Sequence, residues 1–138
     1  LRRALPAALA RGVAVRIVLP AYAGAAAVLW YASRRHYGGF LRRGARIFEF
    51  GPSFYHAKAA VVDGDRAFVG SSNMDPLSWR TNAELDLEFQ DPGTVREIAG
   101  LLDADREGAR EVSLEEHRSR GRLHRAFERL AGLFDGWF

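Results

Sequence analysis

The chain has 138 residues, 48% of them hydrophobic, enough for one domain with a real core and too few for two domains of ordinary size. Lys and Arg exceed Asp and Glu by only 20 to 17, a net charge of +3, which argues against a dedicated nucleic-acid coat and leaves nucleic acid outside the expected partners. The absence of cysteine removes disulfide frameworks, thiolate metal sites and cysteine nucleophiles together.

Leu1, Leu5 and Leu9, with alanines between them, keep helical spacing up to Gly12. The chain opens at Leu1 without a Met, and this reads as the back part of a helix whose start lies upstream. Residues 13–19 alternate apolar side chains around Arg16 and predict a strand stopped by Pro20. Residues 21–32 form the longest apolar run, too short and too interrupted to span a bilayer. The spacing predicts a helix over 25–37, loosened by Gly38-Gly39, with a second helical piece at 40–43. Another strand is expected at 45–50, closed by Gly51-Pro52, and the order helix, strand, helix, strand is that of an α/β unit. Residues 55–62, an Asp63-Gly64 turn and residues 66–69 predict a β-hairpin. A loop or short helix follows over 73–82. Residues 84–89 predict a strand with one wet face, acidic at Glu84, Asp86 and Glu88, and Pro92 opens a helix to about residue 110. The remainder reads as helical and basic.

The chemistry lies in the hairpin. A strand points residues i and i+2 to one face, so His56 and Lys58 can meet one ligand side by side, and an imidazole beside an ammonium suits an anion. Folding the chain back about Gly64 brings Gly70, Ser71 and Ser72 opposite Lys58 and His56, with Asn73 just beyond. Asp63 lies at the other end, on the order of 23 Å from His56 along the strand, and reads as a turn residue accepting local N–H groups. Lys58 is the single lysine beside nineteen arginines, a hint that a compact point charge matters there. His36, His117 and His124 carry no such context and read as ordinary core or surface residues. Ser72 reads as a helix cap.

The stretch HAKAAVVDGDRAFVGSSN matches H-x-K-x4-D-x6-G-S-x-N at all six fixed positions, a match expected by chance on the order of once in 10^8 windows. That pattern is the signature of the phospholipase D superfamily, which the chain resembles over about residues 1–110. The following GSSNMDPLSWRTNAELDLEF, and RGVAVRIVLP at 11–20, are similar to the bacterial cardiolipin synthases. The resemblance implies an α/β phospholipase D-like half domain over residues 1–112, N-terminally truncated, with a mixed β-sheet flanked by helices; residues 113–138, beyond it, read from their own spacing and charge as a basic amphipathic helical tail. The resemblance also implies phosphodiester exchange without metal or cofactor: one motif histidine attacks phosphorus and a second protonates the leaving oxygen. Neutral imidazole is a competent nucleophile near pH 7, and two displacements let an alcohol rather than water accept the group.

By the same resemblance, Lys58 and Asn73 hold the nonbridging oxygens, Ser71 adds a hydroxyl donor, and Glu84, in the N-x-E match with Asn82, orients the motif histidine. Asp75, Ser78 and Arg80 are the expected substrate-binding residues, and Asp63 and Gly70 the structural members of the motif. The implied reaction passes a phosphatidyl group to phosphatidylglycerol or glycerol, with phospholipid substrates, on the cytoplasmic side of the bacterial cell membrane as a peripheral protein. The second histidine is expected from a missing N-terminal half of the same chain. A homodimeric phosphodiesterase or nuclease of the superfamily, pairing two copies of His56, is the alternative. A non-enzymatic basic lipid-binding module is a third reading, which leaves the His56 and Lys58 pair unexplained.

In the tail, Leu123, Phe127, Leu130, Phe134 and Trp137 form one apolar face among Arg118, Arg120, Arg122, Arg125 and Arg129. Such a segment suits an anionic membrane surface, and equally suits packing on its own domain.

Overall fold

The computed structural model describes residues 4–21, 27–53, 55–73 and 82–131. The elements in chain order are α1 (Ala4–Ala10), β1 (Arg16–Pro20), α2 (Ala27–Leu41), β2 (Arg46–Phe50), β3 (Ala59–Val62), β4 (Arg66–Gly70), β5 (Asp86–Phe89), α3 (Pro92–Glu107), β6 (Ala109–Val112), α4 (Leu114–Ser119) and α5 (Arg122–Ala131). They divide into two compact units, residues 1–55 with 109–138 and residues 56–108, where composition alone set a limit of one. The fold is mixed α/β, and the described residues form two three-stranded sheets, β1-β2-β6 and β3-β4-β5.

In the first unit β1 runs parallel to β2, Arg16 opposite Arg46 and Pro20 opposite Phe50, with α2 as the crossover that parallel pairing requires. Pro20 closes β1 from within rather than stopping it beforehand, because β1 is an edge strand that tolerates a residue without an N–H. Four further expectations are corrected here. Gly38-Gly39 do not loosen α2, which runs through them to Leu41 and absorbs the piece expected at 40–43. A Cβ on Gly38 would lie 3.1 Å from the His117 Nε2 of α4, so the bare glycine is the space into which that imidazole packs. The helix expected to reach residue 110 ends at Glu107, and residues 109–112, expected to be helical, form β6 against β2. Long-range partners override local propensity there: Val112 joins Tyr37 and Ile47 in the buried core, with Leu19, Phe40 and Leu41 against it.

Charge is also buried in this unit. Glu49 accepts hydrogen bonds from Arg34 at 2.5 Å and from Arg110 at 2.6 Å, and Arg34 lies over the Trp30 ring at 4.6 Å. Burial, and then the Glu49 carboxylate, push the Tyr37 hydroxyl above its ordinary pKa. Ser113 caps α4 by accepting from the Glu116 N–H at 3.0 Å. The α5 helix packs on α2 with Glu128 and Ala131 buried, and Glu128 is held by the Arg120 guanidinium at 2.8 Å. Among the described residues no helix is long and apolar enough to cross a membrane.

In the second unit β3, β4 and β5 form an antiparallel meander, and α3 packs on β3 and β4 around Ala67 and Val95. Asp91 caps α3, its carboxylate accepting from the Thr94 N–H at 2.8 Å, and that bond holds the Asp91 carboxyl below its ordinary pKa. The expected strand at 84–89 is shorter, beginning at Asp86, and Leu87 within it is 53% exposed while Phe89 at its end is half-buried. β5 is an edge strand of this sheet.

Candidate active site

The hairpin sets the site. Its ladder pairs Ala59 with Val69 and Val62 with Arg66, the register expected from folding about Gly64. Asp63 and Gly64 both take positive φ, +51° and +76°, and Asp65 N–H closes the turn on the Val62 carbonyl at 3.2 Å. At the opposite end the pairing continues one step past the ladder, as Gly70 N–H donates to the Lys58 carbonyl at 3.0 Å. The strand ends that carry the motif are thereby tied together.

His56 and Lys58 precede β3 in irregular backbone rather than within a strand, with His56 exposed and Lys58 half-buried. The Lys58 ammonium donates to the His56 carbonyl oxygen at 3.1 Å, so the cation is held over the residue it was expected to accompany. Beyond Gly70 the expected pairing changes partner. Ser71 and Ser72 do not continue along Lys58 and His56; their hydrogen bonds run to residues 84–86. Ser71 N–H donates to the Leu85 carbonyl at 3.0 Å, and the Leu85 N–H returns to Ser71 Oγ at 3.0 Å. Ser71 Oγ donates to Glu84 Oε2 at 2.6 Å, while the Asn82 amide donates to Glu84 Oε1 at 3.2 Å. Both carboxylate oxygens of Glu84 are thus engaged, and its orientation is fixed from two sides.

Gly70 faces Asp86 across the β4–β5 pair, and a Cβ there would stand 1.8 Å from Asp86 Oδ1. No side chain fits. Ser72 is bound to Asp86 through both its N–H and its hydroxyl, and the helix it was expected to cap falls outside the described residues. The acidic stripe of Glu84, Asp86 and Glu88, which periodicity left without a purpose, has three separate ones: Glu84 takes Ser71, Asp86 takes Ser72, and Glu88 pairs with Arg66 at 3.8 Å. Asp75, Ser78 and Arg80 lie outside the described residues. Among the described residues no three His, Asp or Glu side chains gather as a metal ion would need.

One segment therefore combines an imidazole, an ammonium, two hydroxyls, an amide at Asn73 and an oriented carboxylate over residues 56–86. These are the groups that bind an anionic phosphodiester and move a proton. The sequence model of the cardiolipin synthase, PLD-like domain family matches residues 1–106, and the chain belongs to that family. Among its curated relatives, Cardiolipin synthase A of Pseudomonas syringae pv. syringae is 37% identical over 130 residues, covering 94% of this chain and 27% of that protein. The probable cardiolipin synthase YwiE of Bacillus subtilis is 32% identical over 136 residues, covering 99% of this chain and 27% of the relative. Cardiolipin synthase A of Pseudomonas aeruginosa is 37% identical over 131 residues, covering 94% of this chain and 26% of the relative. The chain thus spans about a quarter of the length of the curated relatives it matches.

Proposed function

We propose that the protein is a phosphatidyltransferase of cardiolipin synthase type, working through a phosphohistidine. The observation that carries the reading is the tie between the two halves of the motif: Gly70 N–H on the Lys58 carbonyl, with Ser71 beside it on the oriented Glu84. In the first displacement an imidazole nitrogen forms a P–N bond as the P–O bond to the donor's alcohol breaks, and a second imidazolium gives that oxygen its proton. In the second, an acceptor hydroxyl attacks phosphorus, its proton passes to the now neutral second imidazole, and the P–N bond breaks. His56 fills one of the two roles, and a histidine from another half of the protein fills the other.

Lys58 and Asn73 hold the nonbridging oxygens, where charge builds in the transition state, and Ser71 adds a hydroxyl when its O–H turns from Glu84 to the bound phosphodiester. Glu84 orients the imidazole and stabilises its cation. Asp75, Ser78 and Arg80 are assigned to substrate binding, and Asp63 and Gly70 serve the backbone. The donor is a phospholipid, and the acceptor hydroxyl is that of phosphatidylglycerol or glycerol.

The tail reading belongs to the same proposal. Leu123, Phe127 and Leu130 are exposed on α5, Leu123 by 75%, while the buried side of the helix carries Glu128. An outward apolar stripe beside exposed Arg122, Arg125 and Arg129 suits the anionic cytoplasmic face of a bacterial membrane, on which the protein lies peripherally. Phe134 and Trp137, the rest of the expected face, lie outside the described residues. The test is transfer by the full-length protein from labelled phosphatidylglycerol, with single-stranded DNA as a competing phosphodiester and EDTA present throughout. Lipid transfer that persists in EDTA supports the proposal. Cleavage of DNA in its place contradicts it, and loss on chelation restored by Mg or Zn contradicts the metal-free mechanism.

A further inference from the structure

We infer that Asp86 is a positioning residue for the segment that follows β4, holding Ser72 so that Ser71 and Asn73 on either side of it are presented to the phosphodiester. The inference rests on the transferase reading for what is presented, and on the contacts of Asp86 for how.

Asp86 opens β5 opposite Gly70. Its Oδ1 accepts the Ser72 N–H at 3.2 Å and its Oδ2 accepts the Ser72 hydroxyl at 2.5 Å. One carboxylate bound to both the backbone and the side chain of a single residue fixes the peptide plane and the χ1 rotamer together. Gly70 makes the approach possible, since a Cβ there would lie 1.8 Å from Oδ1 and 2.7 Å from the Asp86 Cα. The glycine of the motif is thus fitted to this acid.

An acid on an exposed edge strand ordinarily meets water and contributes little. Asp86 is spent on one residue, and that residue stands between two members of the proposed site. Ser71 is separately tied to Leu85 and Glu84, so the two neighbouring serines are held by two carboxylates two residues apart. Asn73 follows Ser72 directly in the chain, so the Ser72 peptide sets where the Asn73 backbone begins. Moving Ser72 therefore moves the Asn73 amide, and misplacement by about 1 Å at a reacting centre costs on the order of 100-fold in rate.

The experiment compares Asp86→Ala, Asp86→Asn, Ser72→Ala and the double variant Ser72→Ala/Asp86→Ala in the full-length protein with labelled phosphatidylglycerol. Asp86→Ala is expected to lower kcat by roughly 10- to 100-fold with KM within about threefold of wild type. Asp86→Asn keeps an oxygen for the Ser72 N–H and an amide for its hydroxyl, and recovers most of the rate. The double variant is no slower than Asp86→Ala alone, because both substitutions break one link. A wild-type kcat in Asp86→Ala, an Asn variant as slow as the Ala variant, or single losses that multiply in the double variant overturns the inference. Inorganic phosphate binding, followed by calorimetry, gives a ranking that does not depend on turnover. Asp86→Ala should weaken it by about 10-fold and Asp86→Asn hardly at all. Equal affinity in all three proteins overturns the inference even where lipid transfer is intact, whereas this ranking in a wild-type protein that transfers no lipid upholds it and refutes the transferase reading alone.

Discussion

A lysine and an arginine carry the same charge and would be interchangeable at Lys58 if it only faced water. The ammonium is instead folded onto the backbone carbonyl of His56 at 3.1 Å, as a compact donor. Lys58→Arg, with its wide planar fork, should lower kcat for lipid transfer by about 10- to 100-fold while the protein stays folded. Wild-type turnover would return Lys58 to a solvated surface role. His117 gives a residue-scale prediction about stability. Burial first, and then the Arg120 guanidinium, lower its pKa below the ordinary 6.5, and Arg34 and Arg42 act in the same direction against Glu128. The unfolded chain then binds a proton that the folded chain refuses. The stability involved is present above about 6.5 and is lost as pH falls from there toward the depressed value. Urea midpoints should drop between pH 8 and pH 5, and His117→Phe should flatten that slope; an unchanged slope would contradict the assignment.

Elements differ in how much of their origin is local. The β3–β4 hairpin and its register were legible because Asp63-Gly64 specifies a turn that needs two positive φ angles, and the turn then fixes every pair up to Lys58 and Gly70. α3 was legible at its start, where Pro92 follows the Asp91 cap, and not at its end. β6 has four residues, two of them charged, and its pairing is decided by partners more than sixty positions away: Arg110 on Glu49, and Glu111 accepting two bonds from Arg46 at 2.8 and 2.7 Å. No periodicity in a window of that length encodes such contacts. The same holds for Gly38, whose tolerance inside α2 depends on His117 arriving from a distant helix. At the site, the motif made His56, Lys58, Ser71, Asn73 and Glu84 visible, whereas the role of Asp86 depends on which way Ser72 turns after β4.

Two predictions belong to this scale. Glu49→Ala strands the Arg34 guanidinium in the core and should cost about 3 kcal/mol or more in urea denaturation, whereas Arg34→Met with Glu49→Leu, which removes the charge with its partner, should cost much less. Equal costs would mean the pair is solvated. On α5, Leu123→Ser with Leu130→Ser leaves the Phe127 ring stacked on Tyr31 at 5.5 Å, so the helix keeps its seat. Binding to anionic vesicles should weaken by about 10-fold while turnover of a soluble short-chain substrate is unchanged. Equal losses on both substrates would favour packing on protein over docking on lipid.

At the scale of the whole molecule, the chemistry needs two imidazoles on opposite sides of phosphorus, one to attack and one to protonate the leaving oxygen. His56 supplies one. The chain spans about a quarter of its curated relatives, and in the transferase reading the second histidine comes from another part of the same polypeptide. On that reading the 138-residue chain by itself should be inactive and should gain activity only when a second histidine-bearing half is supplied. An active dimer of the isolated chain in sedimentation and phosphodiester assays would support the nuclease-like arrangement of two His56 copies instead.

The central claim, that His56 carries a phosphatidyl group between alcohols or protonates its departure, is tested most directly by one comparison. Full-length wild type and His56→Ala are incubated with labelled phosphatidylglycerol and the labelled diphosphatidyl product is followed. The account predicts product from wild type and a loss of roughly a thousandfold or more in the variant, whose folding is unchanged because His56 is exposed and outside the β3–β4 ladder. Retention of about a tenth of the wild-type rate by His56→Ala would contradict it.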